Sequence, residues 1–353
     1  RPQKGIKFGG YNTTRMDERI YSPLTLCEEW PKVLRLVFML FCSCFGTLMT
    51  GFFVASFFVE KYLRKLEHVY LACIGIAEML VTTAIMPVSA FILLSGEWDN
   101  VNVCRSLQFL GITSTYCYSI FFFLVASNSY KKYYSSSADY DKYNLIETSY
   151  SCILVFCLCG LLSAGGVYLG LDYDYCERKR YGNFYFRITT TIVLHAFPGI
   201  LTMIFFCLAS KGIRRRGRKN RPQKRSRVLK LDNSLNVTNM FAFLLYVIAW
   251  TPYLIIVYEF PGTSDYKYYT FIWIGLFRSV LTSFIYGTAN ISFRRAYSNL
   301  FNYCFCKSSL SGPYVSRHRR AGTRDIRVHI MHQAVNSSSP LRAGSAIQET
   351  QNM

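Results

Sequence analysis

Cys104–Tyr134, CRSLQFLGITSTYCYSIFFFLVASNSYKKYY, carries no charged side chain between Arg105 and Lys131. A bilayer core of about 30 Å takes about 20 apolar helical residues, so this stretch reads as a membrane-crossing helix with length to spare. It is polar inside for such a helix: Gln108, Thr113, Ser114, Thr115, Ser119, Ser127, Asn128 and Ser129 interrupt the aromatic and aliphatic run. Those groups cost little only when other helices surround them, which predicts the central helix of a bundle. An ordinary crossing whose hydroxyls bond its own carbonyls is the alternative.

The same signature recurs along the chain. Of 353 residues, 51% are hydrophobic and 17% aromatic, gathered into long runs rather than scattered at amphipathic spacing. A net charge of +20 would point to nucleic acid in a soluble protein. Here the bases lie between apolar runs, where positive-inside topology accounts for them and no nucleic-acid partner is needed. Most of the thirteen cysteines, Cys42, Cys44, Cys117, Cys157 and Cys159 among them, sit within hydrophobic segments and read as small apolar residues. The chain starts at Arg1 without a methionine or signal-peptide pattern, as a fragment or a trimmed product would.

In order, residues 1–32 form a polar segment holding the glycosylation sequon Asn12-Thr13-Thr14, and residues 33–289 hold seven apolar runs. The first two runs cover roughly residues 33–59 and 68–94, the third is the central stretch, and the fourth covers roughly 148–169. The last three cover roughly 186–209, 237–260 and 268–289, with Pro198 in the fifth and Trp250-Thr251-Pro252 in the sixth. Lys211–Lys230 is the most basic connection. Residues 290–306 alternate Phe293, Tyr297, Leu300 and Phe301 with Arg294 and Arg295, which suits a helix lying in the membrane interface beside the lipidation candidates Cys304 and Cys306. Residues 307–353 are Ser-, Arg- and Gly-rich and read as a disordered tail. The expected fold is all-α: a membrane-spanning seven-helix bundle with a short interfacial eighth helix.

Connections after runs one, three and five are basic, whereas the one after run two has neither Lys nor Arg. That asymmetry places the amino terminus outside and the tail in the cytoplasm. Cys104 and Cys176 then both lie on the oxidising side, where they can pair.

Two ionisable residues sit in the middle of apolar runs: Glu78 in the second and Arg278 in the seventh. An unpaired charge there costs about 2.5–3.5 kcal/mol even on the mildest scale, so the two are expected to approach each other. The rival is a protonated Glu78 with Arg278 reaching backbone carbonyls. Pro198 and Pro252 are expected to kink their helices. His195, three residues before Pro198, either faces a cavity or bonds within the bundle. No HExxH, no CxxC pair and no glycine-rich phosphate loop appears in a usable context, so no enzyme activity, metal or cofactor is expected.

Between Val33 and Cys306 the order of motifs resembles the rhodopsin-like (class A) G-protein-coupled receptors. The resemblance rests on Ala77-Glu78-Met79-Leu80, Trp98 before Cys104, Asn128-Ser129-Tyr130, Cys176, Pro198, Trp250-Thr251-Pro252, Thr282-Ser283-Phe284-Ile285-Tyr286 and Phe293-Arg294-Arg295. Asn128, Ile285-Tyr286-Gly287 and Phe293–Tyr297 are most similar to melatonin-type receptors and to the invertebrate group containing moody and trapped-in-endoderm. The departures are as specific. The family's sodium-binding Asp is Glu78, its activating Arg is Ser129, its Asn-Pro of the last span is Thr282-Ser283, and the Trp of its fourth span is missing.

The resemblance implies a plasma-membrane receptor with its amino terminus outside. A small extracellular ligand would bind among Gln108, Gly111, Ile112, Thr115, Thr190, His195, Trp250, Tyr253 and Val257. The mostly apolar lining suits a neutral or lipid-like ligand, and Arg178, Lys179 and Arg180 at the mouth leave an acidic one open. The switch would run through Asn128, Ser129, Tyr130, Trp250, Pro252 and Tyr286, with helix six swinging out about Pro252 to admit a heterotrimeric G protein, and arrestin meeting a phosphorylated tail. Glu78–Arg278 would stand where the family holds its sodium ion. A signalling-deficient scaffold or decoy is the alternative. A transporter is less favoured because the halves show no internal symmetry, and a membrane metallohydrolase because the intramembrane His and Asp residues are missing.

Overall fold

A computed structural model describes residues 32–95, 101–134, 145–173, 176, 182–219, 223–259 and 265–306; the sequon at Asn12, the basic triplet at 178–180 and the tail after 306 lie outside them. Among the described residues there is no strand, and seven helices are long and apolar enough to cross a membrane. They are α1 (Lys32–Val59), α2 (Val69–Leu80, continued through Val81–Ile85 into Met86–Ser95), α3 (Val101–Tyr134) and α4 (Leu145–Tyr168). Then come α5 (Phe184–Thr191, Ile192–Ala196 and Phe197–Lys219), α6 (Gln223–Glu259) and α7 (Asp265–Ala289). The short α8 (Ile291–Cys306) follows. Residues 1–301 form one unit; of the second, 302–353, only the last turns of α8 are described.

The polar residues inside the apolar runs are the stitches between helices. Thr50 and Thr82 share a hydroxyl–hydroxyl hydrogen bond of 3.0 Å, and Thr47 donates to the Thr82 carbonyl at 3.1 Å, joining α1 to α2. Ser114 donates to the Ala77 carbonyl at 2.8 Å across α3 and α2. Tyr70 meets Ser151 at 2.7 Å across α2 and α4, and Asn236 donates to the Phe206 carbonyl and the Ser210 hydroxyl across α6 and α5. In hydrocarbon such groups have no water to fall back on, so each fixes a neighbour and a depth. Burial follows: α2 and α3 have 61% and 56% of their apolar windows enclosed, α4 and α5 only 28%. The central position expected of α3 is therefore shared with α2.

The prolines act differently from one another. In α2 and α5 the helix widens into a π turn, at Val81–Ile85 and Ile192–Ala196, two residues before Pro87 and Pro198. A proline ring collides with the carbonyl four residues earlier, and those carbonyls, of Thr83 and Leu194, fall inside the widened turns. Pro252 lies inside α6 without such a widening.

The basic stretch Lys211–Lys230, expected as a connection, is instead helical on both sides of residues 220–222, with α5 running on to Lys219 and α6 starting at Gln223. Lys and Arg are good helix formers, and past the apolar core nothing stops these helices. The start of α8 is capped by Asn290, whose side-chain oxygen accepts from Ser292 and Phe293 N–H at 2.9 and 3.2 Å. Phe293 then stacks on Phe53 of α1 at 4.9 Å, and Tyr297 donates to the Ser283 carbonyl at 3.0 Å.

Gly46 sets how closely α1 approaches α2 and α7. A Cβ there would lie 2.8 Å from Val280 and 3.0 Å from Thr82, whereas one on Gly51 meets nothing within 4 Å. Gly46→Val should cost about 1–3 kcal/mol through overpacking and lower the melting temperature in detergent, while Gly51→Val, with the same change in helix propensity, should leave it unchanged.

Candidate functional site

A cavity of about 140 Å³ opens among α2, α3, α5, α6 and α7, next to the disulfide that joins Cys104 to Cys176. Its wall contains Gln108, Gly111, Ile112, Thr115, Thr190, His195, Trp250 and Tyr253. Val257 falls on a turn of α6 whose side chains are outside the described set. Apolar walls come from Ile85, Ile112, Leu254, Ile272 and Leu276. Three polar linings were not legible from spacing: Asp172 and Tyr173 after α4, and Arg187 at the start of α5. Only folding brings the loop after α4 over the bundle, through Asp172 N–H to the Gly166 carbonyl (3.0 Å) and Asn183 N–H to the Leu171 carbonyl (2.8 Å). Gly182 permits this crossing: its φ is +66°, and a Cβ would sit 2.4 Å from the Asp172 carbonyl oxygen. Gln108 holds the loop from below, donating to the Tyr173 carbonyl at 2.9 Å. Burial pushes the Asp172 carboxyl above the usual range, against the opposing pulls of the Tyr173 N–H and then of Arg187.

The floor of the cavity is Trp250, which has room because α7 presents Gly275, where a Cβ would lie 2.8 Å from the indole ring. His195 faces both a neighbour and the cavity: its Nδ1 is 2.5 Å from the Tyr246 hydroxyl, and its ring lies 5.5 Å from that of Tyr116.

Below Trp250, Arg278 Nη1 donates to Glu78 Oε1 at 2.6 Å, and both side chains are 1% exposed. The guanidinium carbon also lies 4.2 Å from the ring centre of Tyr118, 5.0 Å from that of Tyr246 and 5.9 Å from that of Trp250. One cation thus touches α2, α3, α6 and α7. Cation–π attraction strengthens when both partners are dry, so the rings hold the arginine that α2 and α7 cannot hold alone.

At the opposite end of the bundle a second, polar cavity of about 40 Å³ is lined by Asn128, Ser129, Lys132, Asp232, Asn236 and Asn239. Asp232, on the first turns of α6, is the centre of a cluster no sequence motif announces. Lys132 reaches it at 2.8 Å and Glu67 at 3.1 Å, while Tyr62 and Tyr133 each donate a hydroxyl to its carboxylate at 2.5 Å. Burial and the Asp232 carboxylate push the Tyr62 phenol far above its ordinary range. The cluster fastens α6 to α3 and to the turn between α1 and α2.

The remaining expected switch residues are dispersed. Asn128 is buried, Ser129 donates to the Val125 carbonyl at 2.9 Å, and Tyr130 stacks on Phe205 of α5 at 5.2 Å. Tyr286 donates to Asn239 at 2.8 Å, joining α7 to α6 at the wall of the second cavity. Cys304 is exposed, and the side chain of Cys306 is outside the described set. Among the described residues no three His, Cys, Asp or Glu side chains come together in a way that could hold a metal.

Removing one member of a buried ion pair strands the other and costs about 3–5 kcal/mol, whereas replacing both with apolar groups is close to neutral. Arg278→Met should therefore abolish most folded protein, and Glu78→Leu with Arg278→Met should recover most of it, as counted by the monodisperse fraction of detergent-extracted protein in size-exclusion chromatography. No protein-family model matches the sequence; what the two cavities do has to be read from their own residues.

Proposed function

We propose that the chain is a plasma-membrane receptor of the rhodopsin-like kind, with its amino terminus outside, that binds a small extracellular ligand in the outer cavity and signals to a heterotrimeric G protein. One observation carries the reading. A single helix, α6, supplies the floor of the outer cavity through Trp250 and the fastening of the cytoplasmic end through Asp232. A ligand that displaces the Trp250 ring acts on α6 and on Arg278 together. Loss of their contacts frees α6 to pivot near Pro252 and to pull Asp232 away from Lys132, Tyr62 and Tyr133, widening the small polar cavity for a transducer. The ligand's differential affinity for the open state supplies the shift, and no bond is made or broken. The chain is not an enzyme on this reading.

The order of motifs from Glu78 to Phe293 supports membership of class A, nearest to the melatonin-type and moody/trapped-in-endoderm groups. Glycosylation at Asn12, palmitoylation at Cys304 and Cys306, and arrestin binding to the phosphorylated tail belong to the same proposal.

A second reading has its own support. At the position where the family presents an activating arginine, Ser129 turns its hydroxyl back to its own helix, which suits a receptor-shaped scaffold or decoy that does not drive nucleotide exchange. Purified protein in lipid nanodiscs, mixed with heterotrimers of each class, separates the two. Asp232→Asn should raise basal GTP analogue uptake about 3- to 10-fold, the factor carried by roughly 0.7–1.4 kcal/mol of lost closed-state stabilisation, and Ser129→Arg should raise it further. Uptake at the empty-nanodisc level for the parent and both variants would assign the scaffold role.

A further inference from the structure

The outward face of α5 changes chemistry without changing direction. Phe197, Ile200 and Ile204 are 61, 63 and 47% exposed, and Cys207 is exposed on the same side. Counting on at 3.6 residues per turn, Lys211, Arg214, Arg215 and Arg218 fall within the same arc of about 100°, and all four are exposed. The inward face lies elsewhere: Ile213 is 3% exposed, and a Cβ on Gly212 would lie 2.8 Å from Tyr133 of α3. The neighbouring α6 follows the same plan. Its exposed Phe241, Ile248 and Ile255 recur every seven residues, and exposed Lys230 stands three turns before Phe241 on that side. The two helices stay together at this end, since a Cβ on Gly217 would lie 3.2 Å from Leu229.

A face that is apolar along the acyl chains and basic one turn further on meets the headgroup layer rather than the inside of the bundle. Among the described residues none of these five bases is paired with another side chain. The remaining arginine of the run, Arg216, points the other way and donates to the Tyr133 carbonyl at 3.1 Å. A partner entering between the helices therefore faces Arg216, whereas the other bases face lipid. From Lys211 to Arg218 the helix rises about 10 Å, more than the roughly 5–8 Å of headgroup on each side of a bilayer. Phosphatidylserine offers its charges at one level and brings an ammonium group that arginines repel. An inositol lipid with ring phosphates carries one phosphate at the level of Lys211 and others further out, where guanidinium forks take them two hydrogen bonds at a time.

Resting on the receptor reading above only for the side of the membrane, we infer that the outward faces of α5 and α6 form a binding surface for a polyphosphorylated inositol lipid. Its acyl chains lie along Ile200 and Ile204, its phosphodiester at Lys211, and its ring phosphates among Arg214, Arg215, Arg218 and Lys230.

Dioctanoyl phosphatidylinositol 4,5-bisphosphate, dioctanoyl phosphatidylserine and free inositol 1,4,5-trisphosphate separate the lipid from a generic anionic lipid and from a soluble phosphate. Each is titrated against the purified full chain in neutral detergent, with bound probe counted by native mass spectrometry. The inositol lipid should bind tightest, with the other two at least tenfold weaker. Arg215→Gln with Arg218→Gln should weaken it at least tenfold. Arg294→Gln with Arg295→Gln, which removes the same charge from exposed positions of α8, should leave it within threefold. Should the α5 variant fail to fold, Lys211→Gln with Lys230→Gln takes its place under the same criterion. A preference of less than tenfold over either competitor, a loss as large in the α8 variant as in the α5 variant, or no binding of the inositol lipid overturns the inference. The assay contains neither extracellular ligand nor G protein, so its failure leaves the receptor proposal standing. Nucleotide exchange at the empty-nanodisc level, in turn, leaves the lipid surface standing.

Discussion

A carboxylate and a guanidinium 200 positions apart in sequence meet in the dry centre of this bundle, and the other contacts are arranged around that meeting. Neither charge is tolerable alone in a hydrocarbon surrounding, so Glu78 and Arg278 oblige α2 and α7 to sit at one depth and face each other. The rings of Tyr118, Tyr246 and Trp250 then enclose the exposed side of the guanidinium. The pair adds little net stability compared with apolar side chains of the same size. What it contributes is a defined register among four helices, centred directly beneath the outer cavity.

From that centre, polar contacts run both ways along α6. Upward they reach Trp250, and through Tyr246 they reach His195 in the cavity wall. Downward they pass Asn239, bonded to Tyr286, and Asn236, bonded to α5, and end at Asp232. Between these points the packing is aromatic, with Phe122 and Phe243 5.5 Å apart and Tyr118 and Tyr246 4.8 Å apart. A close-packed aromatic column with polar ends repacks between discrete arrangements rather than yielding gradually, which is what a two-state device needs.

Much of this was legible in the sequence, for identifiable reasons. The seven crossings announce themselves because a bilayer demands long uncharged runs, and the eighth helix because Phe293 and Tyr297 alternate with Arg294 and Arg295 at helical spacing. Glu78 and Arg278 stand out because opposite charges in two apolar runs have few other places to go. The cavity residues on α3 and α5 followed from the resemblance to the receptor family, not from any local pattern. The rest depended on contacts that no local pattern encodes. Asp232 lies in the flank of the most basic stretch of the chain, where one more charge carries no signal, and its partners Tyr62, Lys132 and Tyr133 lie up to 170 positions away. Arg187 read as the outer edge of a span rather than as cavity wall, because the loop that completes the cavity has no periodicity. The π turns before Pro87 and Pro198 were hidden for a different reason: a proline signals a disturbance but not whether the helix bends or widens.

The account stands on the claim that the buried pair holds α6 in its inward position. Nitroxide labels replacing Lys131 and Val228, at the end of α3 and the start of α6, report that position directly by pulsed electron spin resonance in nanodiscs. The parent should give one narrow distance. The folded double variant Glu78→Leu with Arg278→Met should add a population longer by on the order of 5 Å, the scale of a one-turn helix displacement. Superimposable distance distributions in the two proteins would contradict the account.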